Sequence, residues 1–370
     1  MDTVRESVID WIALSLVAGL GSRGIAQLIG RFSTPHEIFL AAGSGLESSG
    51  LRKNVSAALA EPAPLREKAE VLLGQLAGCG ATAVCPDDDE YPQHLKEIAD
   101  PPAVLYVQGQ IQLLGSLCLA MVGSRAATAY GKRCSYSLAQ GLASAGVTVV
   151  SGLALGIDSE AHRGALSVES GTTIGVLGCG IDVVYPKQNS ALYSEIREKG
   201  LLVSEYPPGV KPDGFRFPAR NRIISGLSRG VVVVEAARKS GSLITAEMAL
   251  DEGRDVFAVP GQIDSFKSNG AHWLLQQGAK LVQSAQDILV EIGTGQTHYL
   301  ETEASGVAAA DCVDPESRTL LELLDVYPSS RDALIASSGL GSAKVTELLL
   351  LLELDGLIEM LPGDEIRRIV

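Results

Sequence analysis

The stretch FPARNRIISGLSRG, residues 217 to 230, gathers side chains that bind anions. From Lys211 to Gly230 there are Lys211, Arg216, Arg220, Arg222 and Arg229 against a single acid, Asp213, a local surplus of four positive charges. The whole chain carries a formal net charge of −14. Such a protein does not attract nucleic acid through its overall field, so any polyanion contact has to be local. Guanidinium groups bind phosphate through paired N–H donors. Phe215 and Phe217 are set among the arginines, and Phe217 is the ring on which a base can stack. Phe217 serves equally well as a core residue anchoring its loop. Other apolar runs end in small or polar residues: Gly123-Ser124-Arg125, Ser151-Gly152, Gly178-Cys179-Gly180, Ser204-Glu205, and Arg238-Lys239-Ser240-Gly241-Ser242 after Glu235. Bare backbone N–H groups, hydroxyls and helix N-termini form an anion cradle. Read as loops that follow strands, Arg125, Lys187, Arg220, Arg222 and Lys239 converge on that cradle. Ser124, Gly152 and Ser240 would offer hydroxyl or backbone donors, and Asn221 and Gly241 complete the set. A phosphate-bearing ligand is the chemistry this pattern serves.

Several familiar phosphate sites are missing. No G-x-x-x-x-G-K-[ST] motif occurs, which excludes a P-loop. No G-x-G-x-x-G opens a strand–helix unit. GCGIDVVYPKQN runs into a loop instead, so a dinucleotide cofactor is not expected. Asp158 and His162, four apart on an expected helix, share a face and could form an acid/base pair or half a metal site. No further ligand pattern accompanies them, and the structural reading is preferred. Ser151 and Ser204 lack the context of a nucleophile elbow. The six cysteines form no C-x-x-C pair and several lie in apolar runs. They read as reduced, mostly buried thiols of a cytoplasmic protein without a metal site.

The elements that must position this chemistry fall into separate parts, as 370 residues with 46% hydrophobic content imply. Residues 1–80 read as a helical domain. VAGLGSRGIAQLIGRF within it has the form of a helix-hairpin-helix, in which Gly19 and Gly21 either expose backbone N–H groups to a DNA phosphate or only make the turn. Residues 81–293 alternate short apolar strands with helices, which predicts a Rossmann-like, doubly wound, mostly parallel sheet with ligands outside the strand carboxyl ends. Residues 294–312 are small, polar and aperiodic, and read as a linker. Residues 313–370 suggest a winged helix. A winged helix commonly reads the major groove, but residues 311–370 hold twelve acids against five bases. The expected recognition helix, 342–354, has one cation, Lys344, and turns Leu350, Leu351 and Leu354 away from its apolar face. It reads as a protein-contact surface. The opening MDTVRESVIDWIALSLVAGLG has acids ahead of its apolar run and no basic leader, so neither export nor a membrane is expected.

Six segments in order, MVGSRAATAYG, SGLALGIDSEAHRGAL, GVLGCGIDVVYPKQN, SEYPPG, FPARNRIISGLSRGVVVVEA and SGSLITAEMALDEGRDVFAVPG, resemble the core of the DprA/Smf family of bacterial DNA-processing proteins. The resemblance is dense over roughly 110 to 290. It implies a single-stranded DNA-binding protein that dimerises through its Rossmann-like domain, holds the strand in a positive pocket and helps to load RecA in natural transformation, without catalysis. By motif, Arg125 and Lys187 match pocket cations, and Arg220 and Arg222 line the same edge. NGAHWLLQQGAKLV is expected to be helical, and Trp273, Leu274 and Leu275 in succession cannot all face one core, so at least one is expected at a dimer interface. The competing reading is an enzyme resembling the LOG-type nucleotide phosphoribohydrolases, with Thr245 and Glu247 in the place of that family's catalytic pattern. Against it, Ser240-Gly241-Ser242-Leu243 replaces that family's phosphate loop.

Overall fold

Nine short strands make one sheet: β1 (Thr82–Val84), β2 (Leu105–Gly109), β3 (Cys118–Val122), β4 (Thr148–Ser151), β5 (Thr173–Leu177), β6 (Leu201–Ser204), β7 (Gly230–Val233), β8 (Asp255–Ala258) and β9 (Lys280–Leu281). The structure, a computed structural model, describes residues 2–42, 51–293, 315–324, 329–354, 357–361 and 363–368; the expected linker over 294–312 lies outside them. The strand order is β1-β2-β6-β5-β4-β3-β7-β8-β9. The strands from β6 to β9 are parallel, while β2 runs antiparallel to β6 and β1 antiparallel to β2. The expected doubly wound sheet is therefore present, with an antiparallel edge.

The strands read as unbroken apolar runs because both faces of the sheet are covered. Side chains alternate between two cores with the period of two that a pleated strand imposes. Leu119, Met121, Val149, Val232 and Phe257 point to one face, which the helices Ala129–Ser144, Ile157–Leu166 and Ala285–Glu291 cover. Ala120, Val122, Val150, Val231 and Val233 point to the other, under the helices Arg216–Gly226, Gly241–Asp251 and Asn269–Gln276. On the first face two helices cross in direct backbone contact at Gly164: a Cβ there would lie 2.2 Å from the carbonyl oxygen of Tyr136.

The N-terminal segment is helical, as expected, over Asp2–Ser15, Gly21–Phe32, Pro35–Ala42, Lys53–Ala60 and Ala63–Gly78. Gly19, in the turn between the first two helices, and Gly21, the first residue of the second, take positive φ (86° and 65°). The buried carboxylate of Asp10 joins three helices, accepting from Arg66 Nε (2.6 Å) and Nη2 (3.0 Å) and facing His36 Nδ1 (3.2 Å). The core of these helices continues into Ala83, Tyr106 and Leu177 of the sheet, so the described residues up to 293 form one compact unit.

Helix boundaries differ from expectation in two places. The helix expected over NRIISGLSR, 221–229, begins earlier, at Arg216, so Arg220 lies on it rather than in a loop. The helix that starts at Asn269 stops at Gln276, and Lys280–Leu281 leave it to pair with β8 as an edge strand.

The second unit, described by itself, contains the helices Pro315–Leu323, Arg331–Ser338 and Ser342–Leu354 with a small antiparallel sheet of Ser329–Ser330, Glu365–Arg368 and Ile358–Leu361, a winged helix. Val345, Leu348, Leu349 and Leu352 fill its core, while Leu350 and Leu351 are exposed; the side chain of Leu354 is outside the described set. Among the described residues no single helix is long and apolar enough to cross a membrane.

Gly164→Ala should force the two crossing helices apart and lower stability by about 1–3 kcal/mol, the usual scale of core overpacking. Urea unfolding followed by circular dichroism measures this; an unchanged midpoint would show that the contact is not tight.

Candidate nucleic-acid interface

Chain order reverses between β3 and β7, and ligands of such sheets bind at the carboxyl ends on either side of that reversal. A cleft of about 740 Å³ opens there. Its floor is built by the loop after β3, which contains Gly123, Ser124 and Arg125. Glu235, which follows β7, fixes that loop from beneath. Its carbonyl oxygen accepts from Ser124 N (2.7 Å), and its buried carboxylate accepts from Thr128 N (3.0 Å) and Thr128 Oγ1 (2.5 Å). Thr128 caps the helix Ala129–Ser144. In dinucleotide-binding sheets the pyrophosphate sits at that helix N-terminus. Here the chain's own carboxylate fills the position, in agreement with the missing glycine fingerprint.

A second helix N-terminus remains open to the cleft. Ser240, Gly241, Ser242 and Thr245 line it, the helix Gly241–Asp251 has no acid in its first turn, and Ser240 and Ser242 bond through their hydroxyls (2.7 Å). Unpaired N–H groups and the positive helix end favour an anion there.

The arginines separate because their segment is helical. Residues two apart on an α-helix point about 200° apart, so Arg220 and Arg222 face opposite ways. Arg220 lines the cleft although it is only 4% exposed. Its Nη1 donates to Val176 O (2.8 Å), and its Nε is buried with no partner. The guanidinium lies against Gly152, where a Cβ would come within 1.8 Å of Nη1. Burial pushes the Arg220 pKa down, and the nearby Asp158 carboxylate opposes that shift. Arg222 turns to the helical segment instead. Its Nη2 donates to Glu205 Oε1 (2.6 Å), its Nε lies 3.4 Å from Asp100 Oδ2, and it is absent from the cleft wall. Burial works against the charge of Arg222, but the Glu205 and Asp100 carboxylates outweigh it and raise the pKa.

The remaining expected site residues divide in the same way. Arg125, Phe217, Asn221, Ser240 and Gly241 line the cleft with Gly123 and Ser124. Lys187 and Lys239 are exposed but do not line it; Lys187 lies two residues from Tyr185, which does. Gly152 does not offer its N–H to a ligand, because that group donates to Asp158 Oδ2 (3.2 Å). Phe217 is half-buried, stacked on Tyr185 with centroids 5.6 Å apart, and the Arg125 guanidinium lies 5.3 Å from its ring centre. Sequence reasoning passed over Tyr185, Phe266 and Lys267, which also line the cleft. No local pattern marks Phe266 and Lys267; they arrive from the loop after β8.

Asp158 and His162 are both buried and do not meet each other's polar atoms. Asp158 receives Gly152 N and Ala154 N, and burial raises its pKa. His162 Nδ1 lies 2.7 Å from Thr173 Oγ1, which itself donates to Val149 O. The proton therefore sits on Nδ1, and Nε2 is buried without a partner. Thr245 faces the cleft, whereas Glu247 is exposed and does not line it. The two-residue spacing divides this pair as it divides Arg220 from Arg222.

Of the three consecutive apolar residues, Leu274 belongs to the core, so the interface expected there loses that residue. Trp273 and Leu275 are half-buried at the core's edge, and Arg238 lies 4.8 Å above the Trp273 ring.

The fold and the cleft define a Rossmann-like protein with an anion-receptive switch point, accompanied by a winged helix. Residues 82–293 match the family model of DNA recombination-mediator protein A, and residues 304–364 match that of the DprA winged helix domain. The chain belongs to the DprA/Smf family of DNA-processing proteins. Protein Smf of Escherichia coli is 43% identical over 287 residues, 76% of each chain. The structure of DNA processing protein A from Streptococcus pneumoniae is similar with a TM-score of 0.61 at 41% identity, covering 75% of this chain and 95% of that one. DNA processing protein A from Helicobacter pylori, whose structure concerns a single-stranded DNA binding mode, aligns with a TM-score of 0.52 at 33% identity over 57% of this chain and 95% of its own.

Burial and the neighbouring Arg220 lower the His162 pKa from 6.5 to about 3. An unfolded chain takes up this proton near pH 6.5, so the stability from neutral His162 is complete above that pH and is lost as the pH falls toward 3. Across this window the residue should contribute up to about 1.4 kcal/mol of lost stability per pH unit. Urea unfolding of the native protein and of His162→Gln at pH 7 and pH 5 should show a smaller loss for the variant; equal losses would place the acid sensitivity elsewhere.

Proposed function

We propose that this protein binds single-stranded DNA in the cleft at the β3–β7 reversal, protects the incoming strand and loads RecA onto it during natural transformation. The observation that carries the reading is the open N-terminus of the helix Gly241–Asp251 in the same cleft as the exposed Arg125, with Arg220 in the cleft wall. These groups bind phosphate without reading bases, and aromatic rings in the same cleft accept any base on a π-face, so binding should depend little on sequence. The single-stranded DNA binding described for the Helicobacter pylori relative supports the choice of ligand. No cofactor is required by this chemistry. The free thiols of Cys79, Cys85, Cys118, Cys134 and Cys179 suit the reducing cytoplasm.

Arg125 and Lys187 serve the strand backbone. Replacing either by Ala should weaken binding about tenfold across sequences. It should also reduce the slope of log K against log salt concentration by about 0.7 for each phosphate that is no longer neutralised. Fluorescence anisotropy with short oligonucleotides over a salt series gives both quantities; a double variant with native affinity and slope would remove the cleft from the function.

The protein acts as a homodimer through the Trp273 and Leu275 edge, which lets one strand meet two clefts. Leu275→Arg should become monomeric by light scattering and load RecA less well. A monomeric native protein at micromolar concentration would defeat this arrangement.

A further inference from the structure

The cleft has two aromatic banks, and the motifs read from the sequence account for one of them. On that bank Phe217 is occupied, stacked on Tyr185 with the Arg125 guanidinium beside it. The other bank comes from the loop between β8 and the helix Asn269–Gln276, where Phe266 and Lys267 line the cleft. Lys267 Nζ donates to Ala126 O and ties this loop to the loop after β3. Phe266 is therefore held at the cleft wall while 66% of its surface remains in water. A phenyl ring kept exposed at a tethered position lacks the apolar cover that would stabilise it. The groups nearby choose the cover. The same cleft holds an open helix N-terminus at Ser240-Gly241-Ser242 and the exposed Arg125, with Arg220 in its wall. A ligand that presents a flat apolar face beside a phosphate satisfies both kinds of surface, and a nucleotide within a strand is such a ligand.

We propose that Phe266 is a base-stacking residue: one base of the bound strand lies on its ring while neighbouring phosphates engage the Gly241–Asp251 helix end and Arg125. This rests on the single-strand reading above and adds an interaction that depends on the base rather than on the charge. Loss of the ring should weaken binding only where a base is present, by about tenfold, the scale of one base–aromatic stack.

The experiment compares full-length native protein, Phe266→Ala, Phe266→Trp and Arg125→Ala on two probes of equal length, an oligothymidylate and an abasic deoxyribose-phosphate strand, with light scattering of each protein. Phe266→Ala should lose about tenfold on the thymidylate and less than about twofold on the abasic strand, with native oligomeric state, and Phe266→Trp should recover the thymidylate affinity. Equal loss on both probes, no loss on either, or a changed oligomeric state that accounts for the loss would overturn the stacking role. Arg125→Ala separates this from the broader reading. If it weakens both probes while Phe266→Ala weakens neither, only the stacking role fails. If Arg125→Ala weakens neither probe, the cleft itself is not the strand site.

Discussion

One buried guanidinium organises the functional edge of this sheet. Arg220 reaches from the helix Arg216–Gly226 to the carbonyl of Val176 in β5, under Gly152 at the end of β4. Asp158 balances its charge from the helix Ile157–Leu166 while accepting the N–H groups of Gly152 and Ala154. Two strand ends and two helices thus close around one cation and one carboxylate. Burying a charge is costly unless its hydrogen bonds are met. Here Nε remains unmet. The cleft wall at Arg220 therefore carries a buried donor that the fold itself leaves unsatisfied.

The second constraint lies on the other side of the reversal. Glu235 uses both carboxylate oxygens on Thr128 and so fills the helix N-terminus that a dinucleotide site would leave free. The N-terminus left open to the cleft is that of the helix Gly241–Asp251, whose first turn carries no acid. This keeps the Rossmann-like scaffold but moves its receptive point toward a wide groove with exposed aromatic rings. A groove of that kind suits a flexible polyanion better than a compact cofactor.

Electrostatics also distinguish the winged helix from a groove reader. Lys344 is the only cation of the helix Ser342–Leu354, and it lies 3.5 Å from Glu316 and 3.6 Å from Glu347. With Leu350 and Leu351 exposed on the same helix, the module presents an acidic and apolar surface. Like charge there disfavours a contact with phosphate.

The alternation of short apolar runs with helical periods determined the doubly wound sheet, since strands buried on both faces must be apolar throughout. The Gly-Ser-Arg and Ser-Gly-Ser strand ends both line the cleft, whereas of the five cations in the local charge surplus only Arg220 does; small residues before a helix are a local signature of anion binding, and a charge count is not. What the sequence could not decide was direction. Arg220 and Arg222 look equivalent in FPARNR, and helix geometry alone sends one to the cleft and the other to Glu205 and Asp100. Trp273, Leu274 and Leu275 look alike as well, yet a helix turns only Leu274 fully inward. Phe266 and Lys267 carry no motif and become part of the site only because the loop after β8 closes on the loop after β3 through Ala126. Composition and period are properties of the chain, whereas the face a side chain presents and the distant loop it meets are fixed only when the elements pack.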